Sequence, residues 1–178
     1  MLKELQLLKP FFDDPNRSYS AREISKNCEI SHVTIGKYLK EYSFIKRASY
    51  GPYLGFKAEQ NEEFLQIKLF YNLQTIRESK IIQHISKFYD YPTIVLFGSY
   101  ATATNTAKSD IDLVIISTHK KEMSFNNKVF NRELHLLVYT KKDIERMKKD
   151  NPNLLNSICN GIVIQGELEV FIWIWRTR

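Results

Sequence analysis

Two short apolar runs, Thr93 to Phe97 and Asp110 to Ser117, are joined by Gly98-Ser99 and a ten-residue spacer, and this arrangement restricts the fold more than any other stretch of the chain. The first run has the length and composition of a buried strand. Gly98 then permits a sharp exit, and Ser99 starts a short helix whose unpaired backbone N–H groups point outward. Such a corner can hold a phosphate. In the second run, period-two alternation sends Asp110 and Asp112 to one face and Ile111 and Leu113 to the other. Two carboxylates spaced about 6–7 Å along a strand suit divalent cations that prefer hard oxygen ligands, Mg²⁺ above all, with phosphates completing the shell. One or two such ions point to phosphate chemistry. A surface hairpin carrying acidic residues is disfavoured, because both runs are too apolar to lie on a surface.

Strand, Gly98-Ser99, spacer and Asp110-x-Asp112 together resemble the minimal nucleotidyltransferases of the DNA polymerase beta superfamily, over roughly residues 90 to 166. The resemblance implies a magnesium-dependent transfer of a nucleoside monophosphate from ATP or another nucleoside triphosphate. Asp110 and Asp112 would hold the metal, and Gly98 and Ser99 would lie against the triphosphate. These enzymes usually carry a third carboxylate on the following strand, Arg132 to Thr140 here, where Glu133 and His135 share one face. His135 is the better positional match. An imidazole is a reasonable base near pH 7 and a poor Mg²⁺ ligand, and Glu133 takes the role if the register differs by two residues. Tyr100 stands where these enzymes often carry an arginine, so one phosphate contact is lost unless Lys108 replaces it.

The first 59 residues point to duplex DNA. Met1 to Leu8 has helical spacing that should end at Pro10, and Ser20 with Glu23 three residues on forms a capping box. A helix over residues 21–27, a turn at 28–30 and a second helix from Ser31 to about Tyr42 predict a helix-turn-helix. Ile24, Ile30, Val33, Ile35, Tyr38 and Leu39 would supply its core. Ser31, His32, Thr34, Lys37 and Lys40 would face the groove. Two β-like runs around Gly51-Pro52, carrying Lys46 and Arg47, read as a wing. From His32 to Ala58 there are five Lys or Arg and one acid, Glu41, a bias that favours phosphate contact. Use of this module for protein contact alone is the competing reading.

The expected fold class is α+β: a winged helix-turn-helix over residues 1–59, one long connecting helix within 60–90, and an α/β nucleotidyltransferase domain with a mixed sheet over 91–178. The combination is similar to archaeal proteins that fuse a DNA-binding wing to a minimal nucleotidyltransferase. In that setting the acceptor hydroxyl belongs to a protein, as in antitoxins that modify a toxin, to an RNA or to a small molecule. The rival function is a DNA-binding regulator whose degenerate transferase domain only binds nucleotide or a partner. The net charge of +6 suits a polyanionic partner. No apolar stretch is long enough to cross a membrane, and two cysteines without metal-binding spacing suggest a reduced, cytoplasmic setting. The tail is uncommonly apolar. Either it adds a strand, or Phe171, Trp173 and Trp175 make an oligomer contact.

Overall fold

The computed structural model describes all residues except 1–2, 27, 29, 122, 124–127, 130 and 169–178. The chain forms two compact units, one comprising Met1–Thr75 with Ala103–Lys108, the other Ile76–Thr102 with Ser109–Arg178. The apolar tail around Phe171, Trp173 and Trp175 falls outside the described residues.

In the first unit, α1 (Lys3–Asp13), α2 (Ala21–Ser25) and α3 (His32–Tyr38) precede the antiparallel strands β1 (Ile45–Tyr50) and β2 (Tyr53–Ala58). The unit also includes α4 (Glu62–Glu78) as far as Thr75. Helix α1 does not stop at Pro10 but runs through it. A proline inside a helix costs about 3 kcal/mol, yet the next two residues, Phe11 and Phe12, are fully buried. Burying a side chain of that size returns about 1.5–3 kcal/mol each, so packing outweighs the lost bond.

The Ser20 capping box forms as the sequence indicates, with the hydroxyl accepting from the Glu23 amide and the Glu23 carboxylate accepting from the Ser20 amide. Ser31 caps α3, which ends earlier than its periodicity suggests and gives way to a 3-10 turn at Leu39–Glu41. Ile24, Ile35 and Leu39 are buried with Phe44, Phe56 and Phe64, and Ile30 and Tyr38 pack against them. Val33 is not a core residue. It is 76% exposed, because Ile35 and Leu39 already fill the inward face of so short a helix.

Instead of a single helix over 61–88, there are two. After α4 the chain turns at Ser79-Lys80 and starts α5 (Ile81–Phe88). The Ser79 hydroxyl donates to the Ile76 carbonyl and accepts from the Ile81 amide, while Lys80 adopts the left-handed conformation. Those side-chain bonds compete with the helical ladder and end it.

The second unit is built on a mixed sheet. Strands β3 (Thr93–Phe97), β4 (Ile111–Ile116), β6 (Arg132–Tyr139) and β7 (Ile162–Gln165) lie in the order β6-β4-β3-β7, and the two-residue β5 (Lys128–Val129) extends the β6 edge. β4 and β6 run parallel, and the other pairs are antiparallel. Helix α6 (Gly98–Ala101) follows β3 directly, and α7 (Lys141–Asp150) and α8 (Pro152–Cys159) follow β6. Val95, Phe97 and Val114 pack with Ile144, Met147 and Ile158 of these last helices. Ile94, Leu96, Leu113 and Ile115 are also buried, and this two-sided burial explains the unbroken apolar runs.

Candidate active site

The pairing of β4 with β6 sets the positions of the acidic residues. In its parallel register Asp112 lies directly beside His135, and Ile111 beside Leu134. Asp110 precedes β4 by one residue and Glu133 precedes His135 by two, so alternation brings all four side chains to one face, at one end of the strands. His135 Nδ1 lies 3.3 Å from Asp112 Oδ1. Its Nε2 lies 3.9 Å from Asp110 Oδ2 and 3.9 Å from Glu133 Oε2. The imidazole is therefore surrounded by three carboxylates, and both Glu133 and His135 stand on the same face as Asp110 and Asp112.

Asp112 is the most enclosed of the four, with its side chain 30% exposed. Burial pushes its carboxyl above the ordinary aspartate range, opposed by the adjacent His135 and reinforced by the Asp110 charge. A cation placed nearby favours its charged form.

Gly98 closes the site from the other side. Phe97 pairs with Asp112 across β3 and β4, and Gly98 then turns with a φ of +69°, where a Cβ would lie 2.7 Å from Asp112 Oδ2. The residue must be glycine on both counts. Ser99 follows in the first turn of α6, and the Thr102 hydroxyl donates to the carbonyls of Gly98 or Ser99, each 3.3 Å away. The only sequence signal for Thr102 is its position three and four residues on, the spacing from which a helical hydroxyl bonds back. Tyr100 is buried, 4% exposed, and takes no part in the open face. Lys108 is exposed and belongs to the segment 103–108 of the first unit.

One donor atom each of Asp110, Glu133 and His135 lies within 4.8 Å of the other two, a donor set of oxygen and nitrogen that fits a divalent cation. The sheet has a second recess at its opposite end. This cleft of about 750 Å³ is lined by Thr93, Ile116, Thr140, Lys141 and Lys148 among others, and holds none of the four site residues.

In the first unit Ser31, His32, Lys37 and Lys40 are exposed, and Thr34 is half-buried. Ser31 and Thr34 are occupied with each other, their hydroxyls 2.8 Å apart, with Ser31 also accepting the Thr34 amide. On β1, Arg47 lies over the Phe56 ring at 4.4 Å and Lys46 stands 3.8 Å from Glu59. Lys37 and Lys40 are thus the better-presented cations of α3 and its following turn.

No described helix is long and apolar enough to cross a membrane. The family described as Polymerase beta, Nucleotidyltransferase matches residues 79–168, half of the chain, and the match covers α5, Gly98-Ser99, all four site residues and β7. No curated protein matches the chain.

Proposed function

The chain belongs to the polymerase beta nucleotidyltransferase family, and we propose that it transfers a nucleoside monophosphate, AMP from ATP in the first instance, to a hydroxyl of a protein, an RNA or a small molecule. The observation that carries this reading is the grouping of Asp110, Asp112, Glu133 and His135 on one face beside Gly98. Asp110 and Asp112 would hold the divalent cation, with Gly98 and Ser99 against the triphosphate. When bound, that cation supplies neutralisation of the phosphate charge. The residues of the chain do the rest. The acceptor oxygen bonds to the α-phosphorus, the α–β bridging P–O bond breaks, and pyrophosphate leaves with the electron pair. The hydroxyl proton passes to one of the basic groups on β6, the Glu133 carboxylate or the His135 imidazole, which face each other at 3.9 Å.

Label transfer tests this reading directly. With α-labelled ATP and Mg²⁺, the full chain should label a component of the cell lysate or an RNA pool, and Asp110→Asn should abolish the product. Nucleotide binding without any transfer would support a non-catalytic role instead.

A second activity is favoured by the exposed Lys37 and Lys40 on α3 and the turn after it, which the β1–β2 hairpin follows in the chain. We propose that the first unit is a winged helix-turn-helix that binds duplex DNA. Each phosphate contact removed lowers the salt slope by about one unit, so Lys37→Ala with Lys40→Ala should reduce it by about two. An unchanged slope and affinity would exclude α3 and the turn after it as the contact surface. DNA binding without label transfer would make the protein a regulator.

A further inference from the structure

We propose that His135 is a metal ligand and that it tunes this centre to a first-row transition-metal ion in preference to Mg²⁺. The inference rests on the reading of the four-residue cluster as a cation site and deepens it by naming the ion, which Asp110, Glu133 and His135 would hold while Asp112 orients the imidazole instead of binding the ion itself. Asp112 Oδ1 lies 3.3 Å from Nδ1 of the imidazole. A carboxylate beside one ring nitrogen fixes the proton there and leaves the lone pair on the other, which is how metal-binding histidines are ordinarily oriented. The nitrogen so exposed is Nε2, and it faces Asp110 Oδ2 and Glu133 Oε2 at 3.9 Å each.

Donors sharing one ion at bond lengths of about 2.0–2.2 Å lie roughly 3–3.5 Å apart. Nε2 therefore needs to come about 0.4–0.9 Å closer to each oxygen, and the Asp110 and Glu133 donors, within 4.8 Å of each other, closer by up to about 1.8 Å, movements within side-chain freedom at such exposure: 53% for His135, 41% for Asp110 and 66% for Glu133. The set has two oxygens and one imidazole nitrogen. Mg²⁺ takes oxygen donors and keeps its waters, whereas Mn²⁺ and especially Co²⁺ accept imidazole with increasing affinity. An all-carboxylate site discriminates less between these ions. His135 bound through Nε2 is also no longer the acceptor of the substrate proton, which leaves that role to the second carboxylate oxygen of Glu133.

The experiment titrates the full chain with Co²⁺, Mn²⁺ and Mg²⁺ separately, by calorimetry and by the visible absorption of Co²⁺, with and without an α,β-methylene ATP analogue that cannot release pyrophosphate. Wild type should bind Co²⁺ and Mn²⁺ in preference to Mg²⁺. His135→Ala should reduce the Co²⁺-over-Mg²⁺ preference at least tenfold and alter the Co²⁺ spectrum, and His135→Asp should move the preference towards Mg²⁺. Metal binding that depends on Asp110 but shows the same preference and spectrum in His135→Ala would overturn this inference and leave the cation-site reading standing. No binding of any of the three ions, with or without the analogue, would overturn both.

Discussion

Replacing Gly98 with alanine should injure the site through Asp112, and the size of the effect follows from two separate terms. The first is backbone: φ is +69°, and placing an L-residue in left-handed conformation costs about 1–2 kcal/mol. The second is contact. The new Cβ would stand 2.7 Å from Asp112 Oδ2, whereas carbon and oxygen ordinarily approach to about 3.3–3.6 Å, so the carboxylate must retreat by about 0.6 Å or more. That movement, away from β3, crowds the carboxylate against β6 and distorts its 3.3 Å contact with His135, worth about 1 kcal/mol. The expected loss is about 2–3 kcal/mol, or a fall in Tm of roughly 10 °C or more for a unit of this size. Urea melts of wild type, Gly98→Ala, Asp112→Ala and the double variant separate the terms, because without the Asp112 carboxylate only the backbone cost remains. The coupling energy should be about 1 kcal/mol. Costs that simply add, within the roughly 0.3–0.5 kcal/mol expected of independent sites, would refute the contact between Gly98 and Asp112.

The raised Asp112 carboxyl makes its own prediction. A carboxyl that holds its proton more tightly in the folded chain contributes stability below the ordinary value of 3.8, and this is lost as pH rises through the raised folded value. Without metal, Asp112→Asn should remove that decline, so its Tm between pH 4 and 7 should equal or exceed that of wild type; a steeper decline in the variant would contradict the assignment. Asp143 works in the opposite sense. The Thr140 hydroxyl and amide, with Lys120, hold its carboxyl far below the ordinary range, so its contribution is present at neutral pH and lost as pH falls below about 4. Asp143→Asn should therefore lower Tm at pH 7 and converge on wild type towards pH 2. In the first unit, buried Lys68 donates to the Asn105 carbonyl, beside the paired Asn72 and Asn105 amides. Lys68→Met takes away that donor and should cost about 1–3 kcal/mol in a denaturant melt, and an unchanged midpoint would show that the bond adds nothing.

Much of the transferase unit was legible because its signals are local. The apolar run to Phe97, the glycine that must turn and the alternation of Asp110 and Asp112 each depend on a few adjacent residues, and the strands and α6 stand where those residues place them. The choice between Glu133 and His135 was not legible, since it depends on strand register, which only long-range pairing settles. The break between α4 and α5 was hidden for another reason. Serine and lysine are ordinary helix residues, and the turn arises from hydrogen bonds of the Ser79 side chain. In the first unit, Pro10 gave a correct local signal that was overruled by the burial of Phe11 and Phe12.

The register that unites the four site residues is itself held by the apolar positions between them. Ile111 pairs with Leu134 and Leu113 with Leu136 across β4 and β6. Ile111, Leu113 and Leu134 are each no more than 3% exposed. A slip of one residue would exchange the faces of β6, bringing Glu133 and His135 to the buried side and Leu134 to the open one. Burying an unpaired carboxylate costs several kcal/mol even after relaxation, and exposing a leucine forfeits about 1.5–3 kcal/mol more. The alternative register is thus disfavoured by an amount comparable to the whole stability of a small domain, about 5–15 kcal/mol. Substituting His135 leaves those apolar pairs untouched, so the residue at this position is free to change the chemistry of the site without changing the strand pairing that builds it.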